Sequence, residues 1–440
     1  MRPLLLCLCA LAGTARADVL AHEDVTLKNG LRVLILSDRR APVVTVLTWY
    51  RVGSADEEAG KTGFAHLYEH LMFKGSPHVP DGVIDKLHEA AGGWANASTG
   101  DDATVYVDFA SSSLLERMLW LEADRLSGLP AAIDKAKLDN QRDVVLNERR
   151  ERFENAPYGM AGHLIAEALW PESSPYHHPT IGYPADLQAA SLADVKAFFA
   201  RHYVPANAVM VIAGDVDVSA ARRLVERYLA WIPSPERPPQ RPAPPALAPL
   251  DKPIELTATD AVQVPRVYLT WRGPPAFHRD EAPLDVATAI LAGGKSSRLY
   301  RAIVMEKRLA QDVFAAADCF RDAGEVQIVA TAKPGVKPGE LVAALDAETA
   351  RLAAEGPSAE ELERARNAHE ARFFTQLESP VERASQLATY AVMAGDADYF
   401  DKDVARYRAV TAADVKDVLR RTLTSGRVVL VVGPEAAHAP

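Results

Sequence analysis

The chain has 440 residues, 48% of them hydrophobic and 25% charged, an ordinary globular composition with room for two or three domains of roughly 150 residues. Its 49 Lys+Arg against 59 Asp+Glu leave a net charge of −10, which argues against a nucleic-acid backbone as the main partner. A chain this long buries sizeable cores without the help of a metal or disulfides, so any metal site has to be argued from its chemistry.

The first residues form their own unit. Met1-Arg2-Pro3 is a short basic start, Leu4 to Gly13 is an apolar run, and Ala15-Arg16-Ala17 is the small-x-small pattern read by a signal peptidase. Residues 1–17 therefore read as a signal peptide cleaved after Ala17, which predicts a periplasmic or secreted protein. The run of about ten apolar residues is well short of the ~18–20 that a membrane span needs. No later run approaches that length, so no membrane span is expected. Cys7 and Cys9 leave with the signal, and the one remaining cysteine, Cys319, reads as a small core residue rather than a nucleophile.

In chain order, 31–36 and 43–50 read as strands, rich in β-branched and aromatic residues, and 62–74 reads as a helix. Residues 94–99 and 104–110 read as a hairpin around Gly100-Asp101-Asp102, followed by helices over 114–126 and 133–153. A helix beginning near Ala193 and the strand 209–214 close this half. Nine of the 21 residues from Pro233 to Pro253 are proline, which makes this stretch a semi-rigid connector. Beyond it, Ala413-Asp414-Val415-Lys416, a helical stretch and the strand 428–433 repeat, at an offset near 220, the Ala193-Asp194-Val195-Lys196 unit and its strand. The spacing predicts duplicated halves: 18–232, a linker over 233–253, and 254–440. The expected fold class is α+β, two homologous sandwich domains in which an antiparallel-rich sheet packs with helices.

The chemistry centres on His66-Leu67-Tyr68-Glu69-His70. On a helix His66, Glu69 and His70 share one face, while Leu67 and Leu71 turn to the core. Two imidazoles one turn apart can close on a single zinc, and Glu69 is then placed to hold a water rather than to ligate. This H-x-x-E-H order is the inverzincin arrangement, and with 12 His in the chain composition alone rarely produces it. A catalytic zinc takes three protein ligands. The helix over 133–153 offers Asp143, Glu148 and Glu151, and the motif by itself does not choose among them. Gln141 lies seven residues before Glu148, on the same helix face.

Further blocks carry a resemblance: Asn29-Gly30-Leu31, Val52-Gly53-Ser54, Gly63 to Gly75, Gly92 to Thr99, Arg142 to Glu148, and Pro175 to Gly182. Through them the chain resembles the pitrilysin/insulinase superfamily of inverzincin zinc metallopeptidases, in its processing-peptidase-like branch. The resemblance implies two homologous domains facing each other across a chamber, one Zn2+ held by His66, His70 and Glu148, and Glu69 as general base. It puts Gln141 behind the ligands, where the family often has Glu. It also implies that an extended peptide pairs with the edge strand 94–99 by β-augmentation, with Asn96 near the scissile bond and Trp94 on the same strand. His177-His178 receive no metal role and read as structural.

Active single-chain relatives carry, in their second half, an Arg and a Tyr seven residues apart that reach the substrate carbonyl. Aligning Glu306-Lys307-Arg308-Leu309-Ala310 puts Val304 and Gln311 there. Val donates nothing and Gln is a weak substitute, and losing one oxyanion donor typically costs about 10²–10³ in turnover. The expectation is therefore a zinc metalloendopeptidase acting on extended peptides or unfolded segments, and specifically the zinc-binding subunit of a bacterial heterodimer whose homologous partner supplies the Arg/Tyr pair. Substitution in cis by Arg298, Tyr300 or Arg301 is the competing expectation. A non-catalytic peptide-binding scaffold or chaperone of the same fold is the competing function. A zinc storage protein is excluded by the lack of His-rich tracts.

Overall fold

The computed structural model describes residues 19–241, 244, 247, 250–423 and 426–435. The signal peptide expected over 1–17 lies outside the described residues. The first half builds strands β1 (Glu23–Thr26), β2 (Arg32–Ser37), β3 (Val43–Tyr50), β4 (Trp94–Thr99), β5 (Thr104–Ser111) and β6 (Ala208–Gly214). Its helices are α1 (Phe64–Leu71), α2 (Val83–Ala90), α3 (Leu115–Ala132), α4 (Lys135–Arg149), α5 (Ala161–Leu169), α6 (Pro184–Ala189), α7 (Leu192–His202) and α8 (Val218–Leu229). The second half contributes β7 (Ile254–Asp260), β8 (Arg266–Gly273), β9 (Ala310–Cys319), β10 (Gly324–Ala332) and β11 (Val428–Pro434). Its helices are α9 (Glu281–Ala292), α10 (Pro338–Glu355), α11 (Ala359–Gln376), α12 (Pro380–Thr389), α13 (Phe400–Ala409) and α14 (Ala412–Leu423). The fold is α+β, with two sheets packed by helices.

The duplication is visible in the sheets. The first runs β1-β2-β6-β3-β5-β4 and the second β7-β11-β8-β10-β9. Leaving out β1, each opens with one parallel pair, β2 with β6 and β7 with β11, and continues antiparallel to an edge strand, β4 or β9. The closing helices match as well. Ser191 caps α7 in a reciprocal box with Asp194, and Thr411 and Asp414 exchange the same bonds at the start of α14. The offset of 220 between Ala208 and Val428, the first residues of β6 and β11, agrees with the repeat.

The central strands of the first sheet are apolar on both faces because both faces are covered. Val33, Ile35, Val44, Val46, Met210 and Ile212 face the helices of their own half. Leu34, Leu36, Leu47, Val209, Val211 and Ala213 face the other way, onto Leu377, Ala384, Leu387 and Ala388 around α12 of the second half. The second sheet returns the arrangement: Tyr268, Val428, Leu430 and Val432 are covered by Ala161, Ile165 and Leu169 of α5 from the first half. Each half thus lends a helix to the other's sheet. Arg383 of α12 pairs with Asp38 at the end of β2 at 2.5 Å, and Arg272 of β8 donates to the Leu169 carbonyl that ends α5 at 2.8 Å. The helix expected over 114–126 runs on to Ala132, with Pro130 in its last turn. Cys319 is half-buried at the end of the edge strand β9, short of the full burial its composition suggested.

Because α12 forms part of the first half's core, Leu387→Ala should lower stability by about 2–5 kcal/mol and shift a single cooperative unfolding transition followed by urea denaturation. Two transitions, with only one of them shifted, would show the halves to be independent.

Candidate metal centre

Helix α1 is held at its start by a carboxylate from outside the helix. Glu57, on the preceding loop, accepts from the Gly63 N–H at 2.8 Å and the Ala65 N–H at 2.7 Å, which satisfies first-turn donors that a helix leaves unpaired. Gly63 takes a left-handed φ of 84°, where a side chain would be strained. Leu67 and Leu71 are buried and fix the phase of the helix. His66, Glu69 and His70 are therefore presented together on the opposite face. Helix α4 packs across α1, anchored by Leu138 and Val145 in the same core, and brings Glu148 to the histidines.

Three ligand atoms meet there. His70 Nε2 lies 3.2 Å and His66 Nε2 3.6 Å from Glu148 Oε2, and the two imidazole nitrogens are 3.3 Å apart. Zinc bonds of about 2.0–2.1 Å in a tetrahedron place ligand atoms about 3.3 Å from one another, so the triangle fits a zinc ion with its fourth position open. Among the described residues His66, His70 and Glu148 form the one group of His, Cys, Asp and Glu with metal-binding spacing. Asp143 and Glu151, the other carboxylates open to the sequence, are exposed and stand outside it.

The electrostatics suit a ligand set. Burial, reinforced by the neighbouring His70 and Arg152, pulls the His66 pKa down to about 3, and burial also lowers His70. Both imidazoles are neutral at pH 7, the form that binds metal. His70 hydrogen-bonds to the Gln141 side chain, an outer contact that orients a ligating ring, whereas His66 Nδ1 is buried without a hydrogen-bond partner. Burial pushes the Glu69 carboxyl above its usual range, against the hydrogen bond from Thr99, whose hydroxyl donates to Glu69 Oε2 at 2.5 Å.

Two contributors were not legible in the sequence. One is Thr99, thirty residues from the carboxylate it holds. The other is Arg152, in the π-turn Arg150–Glu154 that widens the end of α4, whose Nη1 sits 2.8 Å from Glu148 Oε1 and leaves Oε2 to the histidines. A cavity of about 660 Å³ opens over the centre. Asn96 of β4 lines it, whereas Trp94 is 44% exposed, packs on Phe109 at 5.9 Å, and does not reach it. His177 bonds the Trp170 carbonyl and His178 approaches Glu57, both away from the ligands.

Every residue lining this cavity lies between positions 66 and 152. Val304 is packed against the second core, and Gln311 donates to the Ala332 carbonyl at 3.1 Å. Arg298 is buried with both Glu361 oxygens, at 2.8 and 2.7 Å, and the Gly356 carbonyl as acceptors. Arg301 lies 4.0 Å from that same Glu361, and neither it nor Tyr300 lines the cavity.

A two-sheet α+β fold with an H-x-x-E-H helix crossed by a Glu-bearing helix defines an inverzincin-type peptidase fold. Residues 32–174 match the family described as Insulinase (Peptidase family M16), and residues 189–368 match the Peptidase M16 inactive domain. A zinc protease, PqqE, from Helicobacter pylori is 32% identical over 382 residues, covering 84% of this chain and 83% of that protein. The crystal structure of a protease from Helicobacter pylori superimposes with a TM-score of 0.88 at 29% identity, covering 94% of this chain and 99% of that one. The periplasmic protease PqqL from Escherichia coli shares the fold, with a TM-score of 0.77 at 19% identity, over 93% of this chain but 47% of its own. The chain belongs to the M16 peptidase family.

Equilibrium dialysis and metal analysis should find stoichiometric zinc in the wild type. Glu148→Ala should cost more than the about 10–100-fold in affinity typical of losing an outer-shell contact such as Gln141, whereas Asp143→Ala and Glu151→Ala should change nothing.

Proposed function

We propose that the chain is a zinc metalloendopeptidase of extended or unfolded peptides, with one Zn2+ held by His66, His70 and Glu148 and Glu69 as general base. The observation that carries this reading is the triangle of side-chain atoms, 3.2 to 3.6 Å on a side, beside a half-buried carboxylate, Glu69, that is not part of it. Zinc at this centre would supply Lewis-acid polarisation of water and of the scissile carbonyl.

The chain's own residues do the rest. The Thr99 hydroxyl fixes Glu69 Oε2, which leaves Oε1 to accept a proton from the attacking water and return it to the leaving amine. Among the described residues strand β4 pairs only with β5, so its outer edge offers backbone donors and acceptors to a peptide laid along it, with Asn96 beside the cavity. The 18–232 unit carries this chemistry, and 254–440 is its homologous companion without ligands.

In our reading the oxyanion half of the site is not supplied in cis, which is supported by the absence of Val304, Gln311, Arg298, Tyr300 and Arg301 from the cavity lining among the described residues. A homologous partner subunit bearing the Arg/Tyr pair completes it in our reading. Support comes from the fold's occurrence as about half of a longer periplasmic protease chain. That protein's description and the N-terminal basic, apolar and small-x-small pattern together favour a periplasmic or secreted location.

Glu69→Gln should keep its zinc and lose about 10²–10⁴-fold in peptide turnover. A variant that retains both zinc and full activity refutes the base assignment, and a wild type without zinc favours the non-catalytic scaffold. For the partner, the purified chain should turn over unstructured peptides about 10²–10³-fold more slowly than the complex reconstituted with the native homologous subunit. Robust turnover by a demonstrated monomer or homodimer removes the need for that subunit.

A further inference from the structure

The connector between the halves places one arginine at their junction. Arg241 is 5% exposed. Its Nε and Nη2 grip Asp56 at 2.8 and 2.7 Å, and its Nη1 reaches Asp102 at 2.6 Å and Asp322 at 3.2 Å. These carboxylates come from three places: the short turn after β3, the loop joining β4 to β5, and the loop joining β9 to β10 in the second half. Asp102 and Asp322 are 220 residues apart, the offset of the duplication, so the tips of two equivalent hairpins meet on one guanidinium. Tyr176 ties the same knot, donating its hydroxyl to Asp102 and accepting from the Asp322 N–H at 3.0 Å. The Arg321 N–H also donates to Asp102, at 2.7 Å.

The tip of the β4–β5 hairpin is further seated on Gly53-Ser54-Ala55. The Ser54 N–H donates to the Gly100 carbonyl at 3.1 Å and the Ala55 N–H to the Asp101 carbonyl at 2.8 Å. A β-carbon on Gly53 would stand 2.4 Å from both of those oxygens, so the approach requires glycine. Asp56 in turn accepts from the Gly53 N–H at 3.0 Å, which places Arg241 against both sides of the seat. Thr99, the residue immediately before this tip, holds Glu69. An edge strand with one neighbour is held along one side only, and its ends are where it loosens.

We propose that Arg241 is a positioning residue: by clamping the β4–β5 hairpin tip to the second half it holds Thr99 against Glu69 and keeps the edge of β4 in place for the peptide. The second half then contributes to the reaction by bracing rather than by chemistry. This inference rests on the reading of Glu69 as the base, so one readout is chosen to be independent of activity.

Hydrogen exchange on the zinc-loaded full chain should show the Ser54, Ala55 and Gly100 amides exchanging at least about tenfold faster in Arg241→Ala than in the wild type, with the amides of α1 and α4 and the zinc content unchanged. In the complex with its native partner subunit, kcat should fall about 10–100-fold, the scale expected when a reacting group is displaced by about 1 Å. Arg241→Lys, which keeps the charge but not the planar fork, should recover part of both effects. Unchanged exchange overturns the clamp whatever the chain hydrolyses. Faster exchange with kcat intact, or a change in KM alone, overturns the link to Glu69. A wild type that hydrolyses nothing with its partner present defeats the peptidase reading instead, and the exchange data still decide whether Arg241 holds the hairpin. If Arg241→Ala does not fold, Asp322→Asn, which loosens only the second-half arm, carries the same two readouts with smaller expected changes.

Discussion

The structure depends on a reciprocal loan of helices. The central strands of each sheet bury apolar residues on both faces, and in each case one face is covered by a helix of the other half. Helix α12 covers the outer face of the first sheet and α5 that of the second. Removing either would leave a broad apolar face in water, a loss of roughly 25 cal/mol for each Å² exposed. The two halves therefore share their cores, although their sequences repeat, and the proline-rich connector is not the sole contact that joins them.

This constraint gives the metal centre its rigidity. Helix α1 lies between a sheet and α4, with its phase set by Leu67 and Leu71 and its first turn capped by Glu57. His66 and His70 sit on α1 and Glu148 on α4, and packing of these two helices through a shared core brings the three side chains into one triangle. The surrounding electrostatics follow from burial: both histidines are held neutral and Glu69 is pushed toward the protonated form. Glu69 is therefore steadied from the β4 side, through Thr99, and His70 and Glu148 from the α4 side, through Gln141 and Arg152.

Duplication supplied the second half with the same sheet and the same edge strand but not the same chemistry. Helix α9 follows β8 as α1 follows β3, and its sequence Glu281-Ala282-Pro283-Leu284-Asp285-Val286-Ala287-Thr288-Ala289-Ile290-Leu291-Ala292 contains no histidine. Nearby, Arg298 is committed to Glu361 and serves packing. The repeat has kept a brace: its hairpin loop delivers Asp322 to the arginine that also holds Asp102.

Features set by neighbours in the chain were open to the sequence. The strands β3 and β4 follow from their residue types, the hairpin from the turn around Gly100-Asp101-Asp102, and the common face of His66, Glu69 and His70 from the helical period of 3.6, and the elements lie where these signals put them. Glu148 was a harder case. Asp143, Glu148 and Glu151 all sit on or next to one charged helix, and only resemblance to a family singled one out, because the rotation of α4 against α1 is decided by which apolar residues of each are buried. Trp94, expected among substrate contacts, lies outside the cavity lining and rests on Phe109, because its cross-strand neighbour is settled by register. Glu57, Thr99, Arg152 and Arg241 had no signature, because each acts on a partner brought near by folding. The exchange of α5 and α12 was equally hidden: an unbroken apolar strand announces that both its faces are covered, but not by which segment. Local spacing thus determined what each element presents, and the burial of two apolar faces at once decided what stands opposite.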